Sequence, residues 1–297
     1  MESVERAERM AIATIPAALI AAAVVAWAGS AGGGRIFGCP TFAALYALAF
    51  VIQWVVFVPS YFLRSERFFD ITGSLTYISV VALAAAWNAP MDARSVLLLG
   101  LVVVWAARLG TFLLRRVLRA GKDERFDRIK RSFPRLFLTW TLQGLWVSLT
   151  LAAALAAITT KVRLPLGIPG FVGLIIWICG FTFEALADAQ KSRFRSDTAN
   201  RGEFIRSGLW KWSRHPNYFG EIVLWIGIAV IAAPVLQGWQ WATLISPIFV
   251  ALLITRISGI PMLEKRADEK WGGREDYEAY KRTTSVLIPR PPRRAEP

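Results

Sequence analysis

The sequence predicts an all-α, polytopic membrane bundle of about eight transmembrane helices with both termini cytoplasmic. Two observations carry that prediction. Apolar runs of about twenty residues, long enough to cross roughly 30 Å of hydrocarbon, recur along the chain. Arginine and lysine gather in alternate connections between those runs. The composition agrees: of 297 residues, 55% are hydrophobic and 19% charged, against roughly a quarter charged in soluble domains.

The predicted spans are 11–29, 42–62, 71–88, 95–114, 136–158, 167–187, 219–235 and 240–257. The first is Ala-rich and long enough to remain as a membrane helix, so no cleavable signal is expected. Gly32-Gly33-Gly34 and Pro40 separate it from the second, which carries Gln53. Thr, Ser and Tyr dilute the third, and Asn88-Ala89-Pro90 closes it. Asp70 stands at its start, where a carboxylate caps a helix by accepting from backbone N–H groups. Arg108 interrupts the fourth within about two turns of its end, close enough to snorkel to the interface or to serve a site. The fifth holds Gln143. Pro165 and Pro169 bracket the start of the sixth. Pro216 precedes the seventh and suits a first helical turn, where no N–H is needed. Arg256 closes the eighth.

Basic residues orient the bundle. Connection 115–135 carries nine, including Lys122, Arg125 and Arg128, and 188–218 carries seven; 30–40 and 88–94 carry one each and 236–239 none. That alternation puts both termini in the cytoplasm. It also accounts for most of the net charge of +14, so nucleic acid is not an expected partner. The bilayer is, through its anionic headgroups. Cys39 and Cys179 have neither metal nor disulfide spacing and are expected to pack as small apolar residues. No Gly-x-Gly-x-x-Gly follows a strand, no P-loop motif occurs, and no Cys/His cluster supports zinc. No metal site is expected. A dinucleotide would have to bind among membrane helices.

Chemistry concentrates in the C-terminal half. Glu184, Asp188, Lys191 and Arg195 are spaced 4, 3 and 4 apart, which puts them on one helix face. Glu184 lies within an apolar run, so that face should meet a polar cavity. Gly208-Leu209-Trp210 marks a turn. Ser213 through Glu221 then gathers Arg214, His215, Asn217, Tyr218 and Glu221 at a helix mouth, with the chain's only histidine. A helix N-terminus and a planar guanidinium both favour phosphate. Arg256 is followed by Glu264, and Tyr280-Lys281-Arg282 leads to Leu287-Ile288-Pro289.

Together, between about Phe183 and Pro289, these residues resemble the steroid 5-alpha-reductase-like superfamily, more closely its bacterial branch than the eukaryotic steroid enzymes. Sterol reductases and isoprenylcysteine carboxyl methyltransferases carry similar Arg-His-Pro-Asn-Tyr stretches. The resemblance implies an NADPH-dependent ene-reductase in lipid metabolism, an integral multi-pass protein of a bacterial inner membrane. Hydride would pass to an activated carbon–carbon double bond of a lipid or steroid-like substrate. It implies cofactor contacts at Glu184, Asp188, Lys191, Arg195, Arg214, His215, Asn217, Tyr218, Glu221, Arg256, Glu264, Tyr280 and Arg282. Reductases of this type use a Gln-Glu pair and a Tyr on early helices to polarise or protonate the substrate. Here Trp54 follows Gln53, and Tyr77, Asp70 and Gln143 are the candidates. The alternative is a methyltransferase using S-adenosylmethionine on a small amphiphile or phospholipid. By role the chain divides into a substrate-shaping region at 1–135, a cofactor region at 136–289 and a basic, disordered tail at 290–297.

Overall fold

A computed structural model describes residues 2–120 and 129–292; Lys122, Arg125 and Arg128 of the basic connection, and 293–297 of the tail, lie outside the described residues. The order is α1 Glu2–Gly29, a hairpin of β1 Arg35–Ile36 and β2 Cys39–Pro40, α2 Thr41–Phe62, α3 Phe69–Trp87, α4 Ala93–Ala120, α5 Phe133–Thr159, α6 Gly167–Ser196, α7 Pro216–Ala232, α8 Ile245–Leu252, α9 Ile260–Trp271 and α10 Glu275–Thr283. Among the described residues, eight segments are helical, long and apolar enough to cross a membrane. They coincide with the eight expected spans. Both α4 and α6 outrun the apolar stretch that announced them, because Arg, Lys, Glu and Gln prolong a helix into water as readily as leucine does in oil.

The last span is not a plain helix. It opens with 3₁₀ turns at Gly238–Leu244, passes through α8, widens into a π-helical segment at Leu253–Ile257, and breaks at Ser258-Gly259 before α9. A Cβ on Gly259 would lie 2.6 Å from the Ile254 carbonyl oxygen, so only glycine fits the break.

Chain contacts define two compact units, Met1–Gly170 with Ile231–Ser246, and Phe171–Val230 with Pro247–Pro297. They are defined by packing, whereas the division at 135/136 is defined by role.

In the first unit α5 is the central pillar. Every residue from Val147 to Thr159 is buried, as expected of a helix apolar on all sides, and α1, α2 and α3 pack on it. Phe57, Leu136 and Trp140 form the core at one end. Polar side chains are satisfied helix to helix, since hydrocarbon offers them nothing: Gln53 Nε2 donates to Thr76 Oγ1 at 2.7 Å and Trp54 Nε1 to Thr141 Oγ1 at 3.1 Å. Arg94, in the first turn of α4, is 1% exposed. Its guanidinium donates to the carbonyls of Ile231, Pro165 (2.8 Å) and Leu166 (3.1 Å), at the end of α7 and just before α6.

Two local expectations change. Asp70 does not cap α3: Phe68 is the N-cap residue, and the Asp70 carboxylate, in the first turn, pairs with Arg116 at 3.1 Å. An arginine within reach is a stronger partner than a terminal N–H. Cys39 and Cys179 are exposed rather than packed inside.

The second unit is organised by the crossing of α6 and α7. A Cβ on Gly180 would lie 2.4 Å from Leu224 N; one on Gly220, 2.5 Å from Glu184 N; one on Gly227, 2.7 Å from Gly173 O and Trp177 N. Glycines seven apart on each helix let the two backbones touch, the close approach that drives helix association in lipid. The crossing sets Glu184 directly beside the turn that carries Glu221.

Candidate functional site

The site starts from a turn. Gly208 has a φ of 59°, which glycine alone adopts without strain, and a Cβ there would lie 2.6 Å from Gln190 Oε1. The turn docks onto α6: Leu209 N donates to Gln190 Oε1 at 2.9 Å and Trp210 Nε1 to Ala187 O at 3.0 Å. Lys191 lies over the Trp210 ring at 4.3 Å. Ala187, Ile205 and Trp210 form the small core beneath.

The polar segment that follows is tied down by residues 285–290. Arg214 N donates to Ser285 O at 2.8 Å, Ser213 Oγ to Leu287 O at 2.8 Å, and Arg290 N to Trp212 O at 3.0 Å. Ser213 Oγ also accepts from His215 N at 3.1 Å. Tyr280 OH donates to Trp210 O at 2.7 Å. So fixed, the segment enters α7 at Pro216.

Glu264 of α9 joins two of its residues. Its Oε1 lies 2.7 Å from His215 Nε2 and its Oε2 3.1 Å from Arg214 NH2. Burial pulls the His215 imidazole below its ordinary pKa, outweighing the raising effect of the hydrogen bond to Glu264. The neutral ring then has one proton. A carboxylate only accepts, so that proton sits on Nε2. Nδ1 is left as a buried acceptor with no hydrogen-bond partner among the described residues.

That assignment fixes a pH dependence. A folded pKa below the unfolded one means the unfolded chain binds the proton first as pH falls. The stability His215 contributes is therefore complete above the unfolded value of about 6.5 and is lost as pH drops through the folded value. Thermal unfolding of the detergent-solubilised chain is expected to shift to lower temperature between about pH 7.5 and about pH 5.5, and His215→Gln to flatten that shift. An equal shift in the variant excludes His215 as its source.

Arg214, His215 and Glu264 border a cavity of about 310 Å³. Lys191 and Arg195 line it from α6, Arg266 and Lys270 from α9, and Tyr280 from α10. Five of the lining side chains are cationic and two, Glu203 and Glu264, carry carboxylates. The opposite wall is aromatic. Phe204 meets Tyr277 edge to face at 5.2 Å and lies 5.8 Å from Trp271. Arg274 bridges Glu203 (2.7 Å) and Asp276 (3.0 Å) at the rim, and its guanidinium holds the Asp276 carboxyl below its usual range. Burial pushes the hydroxyl pKa values of Tyr277 and Tyr280 upward, so both stay protonated donors.

Six of the thirteen residues expected at a cofactor line this cavity: Lys191, Arg195, Arg214, His215, Glu264 and Tyr280. Glu184 and Asp188 are buried on α6, one helical ladder with Lys191 and Arg195. Asn217, Tyr218 and Glu221 are half-buried in the first turns of α7, with Tyr218 stacked on His215 at 5.8 Å. Arg256 and Arg282 are exposed and do not line the cavity. On an unbroken helix, residues eight apart fall within about 80° of each other; the π segment and the break at Gly259 cancel that relation between Arg256 and Glu264. Arg266, Lys270, Phe204, Trp271 and Tyr277 were missed. The spacing 263, 266/267, 270/271 on a short amphipathic helix is the signal that carries most of them.

The early-helix candidates lie in the first unit. Tyr77 is buried, its ring edge-on to Trp105 at 5.0 Å. Gln143 Nε2 donates to Phe69 O at 2.9 Å and packs where a Cβ on Gly73 would come within 2.5 Å of it. Asp70 is engaged by Arg116.

Known proteins place the chain. Steroid 5-alpha-reductase DET2 of Arabidopsis thaliana is 29% identical over 120 residues, 40% of each chain. 3-Oxo-5-alpha-steroid 4-dehydrogenase 1 of Mus musculus is 26% identical over 180 residues, 60% of this chain and 62% of its own. An uncharacterized protein of Schizosaccharomyces pombe is 24% identical over 227 residues, 66% of this chain and 64% of its own. The chain thus spans between two fifths and just under two thirds of the lengths of these relatives. No solved structure matches. The family described as "Protein of unknown function (DUF1295)" matches residues 56–284, well over half of the sequence, and the chain belongs to it.

Proposed function

We propose that this protein is a membrane reductase that uses NADPH to reduce an activated carbon–carbon double bond of a lipid-like substrate. The observation that carries the reading is the cavity of the second unit, with five cations and an aromatic wall. A ligand that satisfies both has phosphates for the cations and a flat ring for the aromatic faces. At about 310 Å³ the cavity is at the small end of ligand sites, roughly 300–1,000 Å³, and suits one half of a dinucleotide. Relatives named as steroid 5-alpha-reductases and 3-oxo-5-alpha-steroid 4-dehydrogenases support the same activity.

NADPH, when bound, supplies the hydride. The chain's own residues do the rest. Arg195, Arg266 and Lys270 attract phosphate, and Phe204 with Trp271 offers ring faces. Glu264 keeps Arg214 and His215 oriented, and the α7 residues Asn217, Tyr218 and Glu221 offer polar contacts next to that core. Asp70 is paired with Arg116, and Gln143 has no acidic proton. Tyr77 is the group whose chemistry fits delivery of a proton to the neighbouring carbon. The alternation of basic connections supports cytoplasmic termini and a cytoplasm-facing cavity.

Binding tests this directly. NADPH is expected to raise the thermal unfolding midpoint of the detergent-solubilised chain. Arg266→Glu with Lys270→Glu is expected to weaken NADPH at least tenfold, about 1.4 kcal/mol. Stabilisation by S-adenosylmethionine alone, with no response to NADPH, overturns the reading.

A further inference from the structure

One wall of the cationic cavity is built differently from the rest. Lys191 and Arg195 stand on α6, Glu264 and Lys270 on α9, and Trp210 and Arg214 on a segment pinned to α6 and to residues 285–290. Glu203, Phe204 and Ile205 come instead from a stretch, 203–206, that is neither helix nor strand. Ile205 is its fixed end, packed with Ala187 and Trp210. At the other end Gly202 has a φ of 89°, a backbone state that glycine adopts without strain.

This stretch meets the turn between α9 and α10. Trp271 Nε1 donates to Gly202 O at 2.6 Å, and the Phe204 ring lies against Trp271 and Tyr277. The Arg274 fork donates to both Glu203 oxygens, at 2.7 and 3.3 Å, and to both Asp276 oxygens, at 3.0 and 3.1 Å. Glu203 lines the cavity while its side chain is 44% exposed, which puts its carboxylate at the mouth. Arg274, 38% exposed and absent from the lining, closes on Glu203 from outside. Contacts of that kind, polar and bathed in water, open locally before helices do.

We infer that the Glu203–Arg274–Asp276 clasp is the gate of this cavity. When the pair parts, Glu203 and Phe204 swing away from Trp271 between Gly202 and Ile205, and a ligand enters through the gap. Loss of either partner of the Glu203–Arg274 pair, or salt that screens it, raises the open fraction. The inference rests on the reading of the cavity as a ligand site and holds for whichever ligand it takes.

The test needs no ligand. Ala267 lines the cavity from α9, and Ala267→Cys is introduced in a full chain carrying Cys39→Ser and Cys179→Ser, since both native thiols are exposed. Modification by an uncharged polyethylene-glycol maleimide is timed by gel shift. Glu203→Gln and Arg274→Gln are each expected to speed it about fivefold, the upper end of what an exposed pair contributes. The double variant is expected to be no faster than either, because both remove one interaction. Salt at about 1 M, which screens charges beyond about 3 Å, is expected to speed the parent chain and leave the double variant unchanged. Lys265→Gln takes an exposed charge from the same helix and is expected to have no effect. Rates indifferent to Glu203 and Arg274, a double variant at the product of the two singles, or a Lys265→Gln effect equal to that of Arg274→Gln overturns the inference. NADPH takes no part in these readings, so its failure to bind would leave them standing.

Discussion

Replacing Gly220 with alanine is expected to unfold the second unit or to prevent its assembly. The added carbon would sit 2.5 Å from Glu184 N and 2.6 Å from Gly180 O, and both are main-chain atoms of a helix. A flexible side chain could swing away; a helix backbone can yield only by moving the helix. Overpacking in a core costs about 1–3 kcal/mol when side chains rearrange, so about 3 kcal/mol or more is expected where they cannot. NADPH binding should be lost with the fold, because Glu184 to Arg195 on α6 and Asn217 to Glu221 on α7 are aligned by that crossing. The measurement is thermal unfolding followed by size-exclusion fluorescence. Gly100 supplies the control, since nothing lies within 4 Å of its added carbon. Gly100→Ala is expected to be neutral or stabilising by up to about 1 kcal/mol. Equal behaviour of the two variants would sink the argument.

Arg94→Ala is expected to cost about 3–5 kcal/mol, the scale of breaking a buried charged contact. The loss is not mainly one of charge. The Ile231 carbonyl, which is buried, loses the arginine donor, and the Pro165 and Leu166 carbonyls lose theirs at a half-buried site. Arg94→Lys is expected to recover only part, because an ammonium lacks the planar fork that reaches carbonyls from two segments at once. Since Arg94 lies in the first unit, protein that survives extraction should retain its NADPH affinity. A wild-type unfolding midpoint in Arg94→Ala would mean that the carbonyls find other donors.

These two positions also show where the sequence was legible. The eight spans could be read because each is a long apolar run, and burial in lipid selects for hydropathy directly. The Glu184–Arg195 face could be read because helical spacing is a local property. Arg94 was counted only as one charge in a sparsely basic connection, since nothing nearby in sequence announces carbonyls at 165, 166 and 231. The glycine pairs 173/180 and 220/227 stand at a regular interval in apolar helices, a signal of close approach. Without knowing which helices touch, that interval has no partner. Arg256, which the resemblance implied at the cofactor, does not line the cavity that Glu264 borders, and a π turn followed by Gly259 lies between the two. The aromatic wall at Phe204, Trp271 and Tyr277 is assembled from three separate segments, and no one of them is distinctive.

The bonds from Ser213, Arg214 and Trp212 to Leu287, Ser285 and Arg290 give the site an order of events. The partners are more than seventy residues apart in sequence. During synthesis the Arg-His-Pro-Asn-Tyr segment is made, and α7 and α8 enter the bilayer, long before its clasp exists. Until the last stretch arrives, Ser213 lacks its acceptor and Arg214 its carbonyl. The cavity therefore closes only once residues 285–290 have been made, well after the segment they clasp.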